Sequence, residues 1–148
     1  MPAEVDVAQP RLDLALEHFA HARILPPGRT VEDMGRHYEE IGAAQFESAD
    51  GVADWRVRGT TAFALYRTGD FATAVRLVDE VGRLADAVDH HPDVNLRYGR
   101  VELRLTTHAT SSLTTVDVDL ARAISAAAAA LAVTADPDGI AESEIAQG

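Results

Sequence analysis

The sequence predicts an α+β fold: a four-stranded antiparallel sheet with helices packed on one face, preceded by an extra N-terminal helix. Three observations predict it. Apolar residues keep a helical period in some segments and alternate in others. The alternating segments come in pairs joined by short glycine-bearing turns, which favours hairpins and an antiparallel sheet. At 148 residues, 47% of them apolar, the chain suits one domain able to bury a core without disulfide or metal staples.

From Arg11 to Arg23, the residues Leu12, Leu16, Phe19 and Ala22 recur at steps of three and four, so a short amphipathic helix is expected, ended by Pro26-Pro27-Gly28. Thr30 and Asp33 resemble a capping box. Met34, Tyr38, Ile41 and Gln45 continue at helical spacing, which predicts a second helix from about Val31 to Phe46. Ser48 to Asp54 reads as a loop. Trp55 and Val57, then Thr61, Phe63 and Leu65, alternate about Gly59 and predict a strand pair. Asp70 is a candidate cap for a helix carrying Phe71, Ala74, Val75, Val78, Val81, Ala85 and Val88. Between Pro92 and His108, alternation passes from Leu96 and Tyr98 to Val101, Leu103 and Leu105. The inward parity therefore flips across Gly99 and Arg100, which requires a tight turn or a bulge. Thr114 to Leu131 predicts a last helix with Val116, Leu120, Ile124, Ala127 and Leu131 inward. Beyond Ala135-Asp136-Pro137 the acidic tail is expected to fray.

The formal net charge of −11, with 24 acidic against 13 basic residues, argues against a nucleic-acid partner. Cysteine is absent, which removes disulfides, thiol nucleophiles and thiolate metal sites. Met1 to Pro10 shows no basic stretch followed by an apolar run. No segment approaches the roughly 18 consecutive apolar residues of a membrane span, so a cytoplasmic protein without membrane contact is expected.

The chemistry-bearing residues gather late in the chain. His90 and His91 stand where a helix should end, and Pro92 sends the chain onto an extended path. His108 closes the strand that runs back from Val101. Imidazoles meeting in one cleft supply acid and base near neutral pH, since unperturbed histidine titrates at about 6.5. The duller readings are that His90 complements the dipole at a helix C-terminus, that Asp117 forms a capping box with Thr114, and that Trp55 is core. His18 and His21, one helical turn apart, lack an evident third ligand and read as a solvated face. No metal site is expected.

Asp89-His90-His91-Pro92, then Tyr98, His108 and Asp117, resemble in order and spacing the signature of the pterin-4a-carbinolamine dehydratases. Trp55, Gly69-Asp70-Phe71, Leu113-Thr114 and Leu120-Ala121 agree with it. The resemblance covers roughly Val31 to Leu131, dividing the chain into an N-terminal extension (1–30), a dehydratase-like domain (31–134) and an acidic tail (135–148). It implies the α+β fold above, homodimers or homotetramers, and dehydration of a 4a-hydroxytetrahydropterin to a quinonoid dihydropterin, with no metal or organic cofactor. By the same resemblance His90 and His108 are the leading acid/base pair, and His91 contacts the pterin and assists proton transfer. Trp55, Asp89, Pro92, Thr107 and Asp117 are the expected substrate-binding residues, with Asp117 orienting either a histidine or a pterin nitrogen. The chain departs from the family at Ala109, Ser111-Ser112 and Val116, which points to an altered rim. A different substrate in a biosynthetic pathway, or a non-catalytic dimerisation or assembly module, are the competing readings.

Overall fold

Residues 38–142 are described by the computed structural model, and within them each element follows from its local chemistry. A two-residue strand β1 (Glu40–Ile41) leads into a single helical turn α1 (Ala43–Glu47), whose N-cap is Gly42. The Gln45 side chain reaches back to the Gly42 N–H at 2.9 Å. This overturns the described part of the helix expected over 31–46: Ile41 pairs with Leu113 as a strand, and the chain starts a new, short helix after Gly42. The amphipathic helix expected over 11–23, like His18, His21 and His37, lies outside the described residues.

Strands β2 (Trp55–Arg58) and β3 (Thr61–Arg67) form the first hairpin. Gly59 takes the first turn position with φ 61°, a conformation that costs an L-residue roughly 1–2 kcal/mol. Asp70 then caps α2 (Phe71–Val88) by accepting from the Thr73 N–H at 2.7 Å. Ala74, Leu77, Val81, Leu84 and Ala85 form the buried stripe of that helix.

The second hairpin joins β4 (Asp93–Arg97) to β5 (Arg100–Leu105). Its two-residue turn is Tyr98-Gly99, with Gly99 at φ 78°, and it resolves the parity flip: Leu96 faces Val101, so both strands bury the same side. Tyr98 is consequently a turn residue, 76% exposed, and not the inward residue that the alternation implied.

Strand β6 (Leu113–Thr114) pairs with β1, and α3 (Thr115–Ala130) starts directly from it. The main sheet runs β2-β3-β5-β4, antiparallel throughout. Trp55, Ala62, Ala64, Tyr66, Val101, Leu103 and Leu105 point to α2 and α3 and form the core with Leu77, Leu84, Leu120 and Ile124. Each buried leucine contributes about 2–3 kcal/mol.

As far as residue 142, the segment after α3 does not fray as expected. Strand β7 (Thr134–Ala135) adds to β3 at Tyr66 and Arg67, and a 3₁₀ helix (Pro137–Glu142) crosses the opposite face of the sheet. There Ile140 packs on Phe63 and Leu65, and Asp136 accepts from Arg67 at 2.9 Å and 3.0 Å. The apolar pair Phe63 and Leu65 explains the ordering, since a free tail would leave both wet. Among the described residues no helix is long and apolar enough to cross a membrane.

Tyr66 ties this sheet to α3. Its hydroxyl donates to Asp54 Oδ2 at 2.8 Å and lies 3.3 Å from Ser125 Oγ, while Trp55 Nε1 donates to the same Ser125 oxygen at 3.0 Å. Burial pushes the Tyr66 phenol above its ordinary 10.0. The unfolded chain therefore releases this proton first as pH rises, so the associated stability is intact below pH 10 and is lost above it, by at most about 1.4 kcal/mol per pH unit. Tyr66→Phe should cost about 1 kcal/mol at neutral pH and flatten the alkaline limb of stability. Urea unfolding at pH 7 and above pH 10 checks this, and parallel alkaline limbs for the two proteins would contradict it.

Candidate active site

Three chain segments meet at one end of the sheet: the exit from α2, the end of β5 and the start of α3. The exit from α2 is a left-handed reversal at Asp89 (φ 50°, ψ 46°). The Asp89 N–H bonds Asp86 O at 3.3 Å and the His90 N–H bonds Ala85 O at 3.1 Å, the paired hydrogen bonds of a Schellman ending. Aspartate tolerates this backbone better than most side chains, though less well than glycine. The reversal turns His90 inward and leaves His91 outside.

His90 is 8% exposed, and its Nε2 lies 2.6 Å from Asp117 Oδ1. Asp117 sits in the first turn of α3 and has no exposed surface. Its other oxygen, Oδ2, accepts from the Thr114 N–H at 2.9 Å and from Thr107 Oγ1 at 2.7 Å. A carboxylate has no proton to donate, so Nε2–H donates to it, and in the neutral ring Nδ1 carries the histidine lone pair. Nδ1 has no hydrogen-bond partner among the described residues and is not sealed from solvent. The arrangement presents one defined proton-accepting atom, backed by a buried charge that stabilises the imidazolium once formed.

The other two histidines are placed differently. His91 is exposed, with Nε2 2.8 Å from Asp86 Oδ1, an aspartate that is itself largely solvated. The Asp86 partnership was missed in the sequence because the pair stands five positions apart, a spacing that the left-handed Asp89 brings together. His108 follows Thr107, whose hydroxyl holds Asp117, so its backbone is bound to the same centre while its side chain is exposed. It heads the turn that closes between Thr107 and Ser112, where the Thr107 N–H bonds Ser112 O at 2.9 Å.

Of the expected substrate contacts, Asp89 is exposed and Pro92 half-buried beside the histidines. Thr107 and Asp117 are 2% and 0% exposed and direct their polar atoms to one another and to His90. They offer no surface to a ligand, and of the two orientations expected for Asp117 the geometry selects the histidine. Trp55 is buried and its Nε1 is committed to Ser125, eight residues beyond Asp117 and so about 12 Å along α3. Val116, expected to alter the rim, is buried in the core. Ala109 and Ser111 are exposed, and Ser111 takes φ 52°, the left-handed position for which glycine is the usual choice. Among the described residues, no three His, Asp or Glu side chains converge as metal ligands.

Residues 38–127 match the sequence model of a family described as pterin 4 alpha carbinolamine dehydratase. The chain is 42% identical over 71 residues to a provisionally named pterin-4-alpha-carbinolamine dehydratase of Chloroflexus aurantiacus, covering 48% of this chain and 76% of that protein. It is 35% identical over 78 residues to a protein of the same provisional name in Sulfurisphaera tokodaii, covering 53% and 84%. A crystal structure described as a transcriptional coactivator/pterin dehydratase from Brucella melitensis aligns with a TM-score of 0.49 at 26% identity, covering 66% of this chain and 95% of that one.

Removing the carboxylate should be expensive. Asp117→Ala leaves the Thr114 N–H, the Thr107 hydroxyl and the His90 ring nitrogen without their acceptor in a buried place, at an expected cost of about 2–4 kcal/mol. Equilibrium unfolding in urea measures it; a loss below about 1 kcal/mol would show that the pair is not held as described.

Proposed function

The chain belongs to the pterin 4 alpha carbinolamine dehydratase family, and from that premise we propose that it removes water from a 4a-hydroxytetrahydropterin to give a quinonoid dihydropterin. One observation carries the reading: a histidine held by a buried aspartate through one ring nitrogen keeps the other unbonded among the described residues and not sealed from solvent, while His91 and His108 stand exposed on the two chain segments that meet there. The reaction needs little more. The C4a–O bond breaks and its oxygen leaves as water after taking a proton, while the adjacent ring nitrogen loses its proton and shares the electron pair in a new C4a=N bond.

In this scheme His90 Nδ1 takes the ring-nitrogen proton, and Asp117 stabilises the resulting imidazolium across the 2.6 Å hydrogen bond. His108 delivers the proton to the departing hydroxyl; its exposed side chain can follow the substrate. His91 contacts the pterin and exchanges protons with water, and Asp89 and Pro92 form part of the rim. No electrons are gained or lost overall, so the scheme calls for no redox group, and in it a histidine proton, not a Lewis acid, activates the departing hydroxyl. The exposed apolar residues Phe71 (51%) and Val75 (45%) on α2, with Val94 (41%) on the edge strand β4, support self-association of copies of this chain.

A diverged substrate is the second reading, and it rests on the turn from Ala109 to Ser112. That turn adjoins His108, carries no acidic side chain and holds Ser111 in a left-handed conformation. A changed rim there would alter which molecule enters without disturbing the His90–Asp117 pair.

The purified protein, mixed with enzymatically generated 4a-hydroxytetrahydropterin, should speed loss of the hydroxyl well above the buffer rate. His90→Ala and His108→Ala should each lower kcat by about 10²–10⁴-fold while near-UV circular dichroism stays native. A wild-type rate equal to buffer would remove the pterin reading and leave the diverged-substrate one standing.

A further inference from the structure

Thr107 and Thr114 are both buried, at 2% and 0% exposure, and their hydroxyls lie 2.8 Å apart. Each hydroxyl has one proton, and the direction of both can be assigned. Thr107 Oγ1 is 2.7 Å from Asp117 Oδ2, an oxygen that can only accept, so the Thr107 proton points there. The Thr107 oxygen is then the acceptor for Thr114, whose alternative contact with Asp117 Oδ2 is longer at 3.4 Å. The result is an ordered chain: Thr114 donates to Thr107, and Thr107 donates to Asp117.

This chain does more than satisfy buried groups. The helix cap uses the same oxygen, since the Thr114 N–H donates to Oδ2 at 2.9 Å. Two donors therefore hold Oδ2, and Oδ1 is left to face His90. If the carboxylate rotated, the Nε2–H bond would weaken and the imidazole would lose the interaction that favours one tautomer over the other.

We propose that Thr107 is a positioning residue: its hydroxyl locks the Asp117 carboxylate so that His90 keeps its proton on Nε2 and presents Nδ1 as the reactive atom. The kinetic consequence rests on the dehydratase reading; the structural one does not. Ser111 and Ser112 close the turn that carries Thr107, so the lock also ties the segment bearing His108 to the start of α3.

The test uses the full chain and two readouts. Long-range ¹H–¹⁵N correlation spectra of the imidazoles should show a single Nε2–H tautomer for neutral His90 in the wild type. Thr107→Val, which keeps the shape and removes the hydroxyl, should give a tautomer mixture, and Thr107→Ser should restore the single form. With the pterin substrate, Thr107→Val should lower kcat by about 10–100-fold, the range seen when groups supporting a functional histidine are removed, with KM changed less than about twofold; Thr107→Ser should stay within about threefold of wild type. An unchanged tautomer in Thr107→Val, or a Thr107→Ser variant as impaired as Thr107→Val, would overturn the proposal. If Thr107→Val fails to fold, Thr107→Ala removes the same hydroxyl with a smaller side chain and should still mix the tautomers; a pure Nε2–H form there would overturn it equally. A wild type inert toward the pterin yet showing the tautomer response would defeat the dehydratase reading and leave the positioning role in place.

Discussion

A carboxylate with no exposed surface is costly to bury, and the arrangement of this end of the protein follows from how Asp117 is accommodated. Its oxygens collect donors from three elements: the N–H of Thr114 at the start of α3, the hydroxyl of Thr107 at the end of β5, and the ring of His90 beyond α2. Each hydrogen bond to an ionised group contributes about 1.5–3 kcal/mol, enough together to offset desolvation of several kcal/mol. The helix start, the strand end and the helix exit are thus joined through one side chain. The same carboxylate caps a helix and orients a histidine, because each task uses a different oxygen.

The scaffold brings those donors to one place by ordinary means. Two hairpins with glycine-bearing turns bring β5 into the middle of the sheet, with β3 on one side and β4 on the other. Helix α2 lies across the sheet on its Leu77, Val81 and Leu84 stripe, and its exit meets the end of β5 at Asp117. The left-handed Asp89 then separates two adjacent histidines, burying one and leaving the next in solvent. That division leaves one immobile imidazole and one exposed one next to it in the chain. An immobile base is pre-oriented before substrate arrives, and exposed groups can adjust as it enters.

Most of the fold was legible because its signals are local. The caps at Asp70 and Thr114, the glycine turns and the periodicities of α2 and α3 each depend on residues within a few positions of one another. Two of the misreadings were settled by distant partners. Ile41 continued a helical pattern but pairs with Leu113, across 72 positions of chain, and residues 135–140 looked like a loose tail because Phe63 and Leu65, which seat Ile140, are far away in sequence. Tyr98 was misplaced because alternation by itself does not reveal where a two-residue turn begins.

By itself the sequence determined the fold class, the family signature from Asp89 to Asp117 and the three histidines proposed to bear the chemistry, since residue identity and short-range spacing carry those. Only the tertiary structure decided which histidine is buried, which of its nitrogens is free, and that Thr107 and Asp117 serve His90 from behind instead of lining a pocket. It also placed Trp55 and Val116 in the core. The reason is physical: burial and hydrogen-bond direction depend on what the rest of the chain places around a group, and those neighbours come from segments that no local pattern connects.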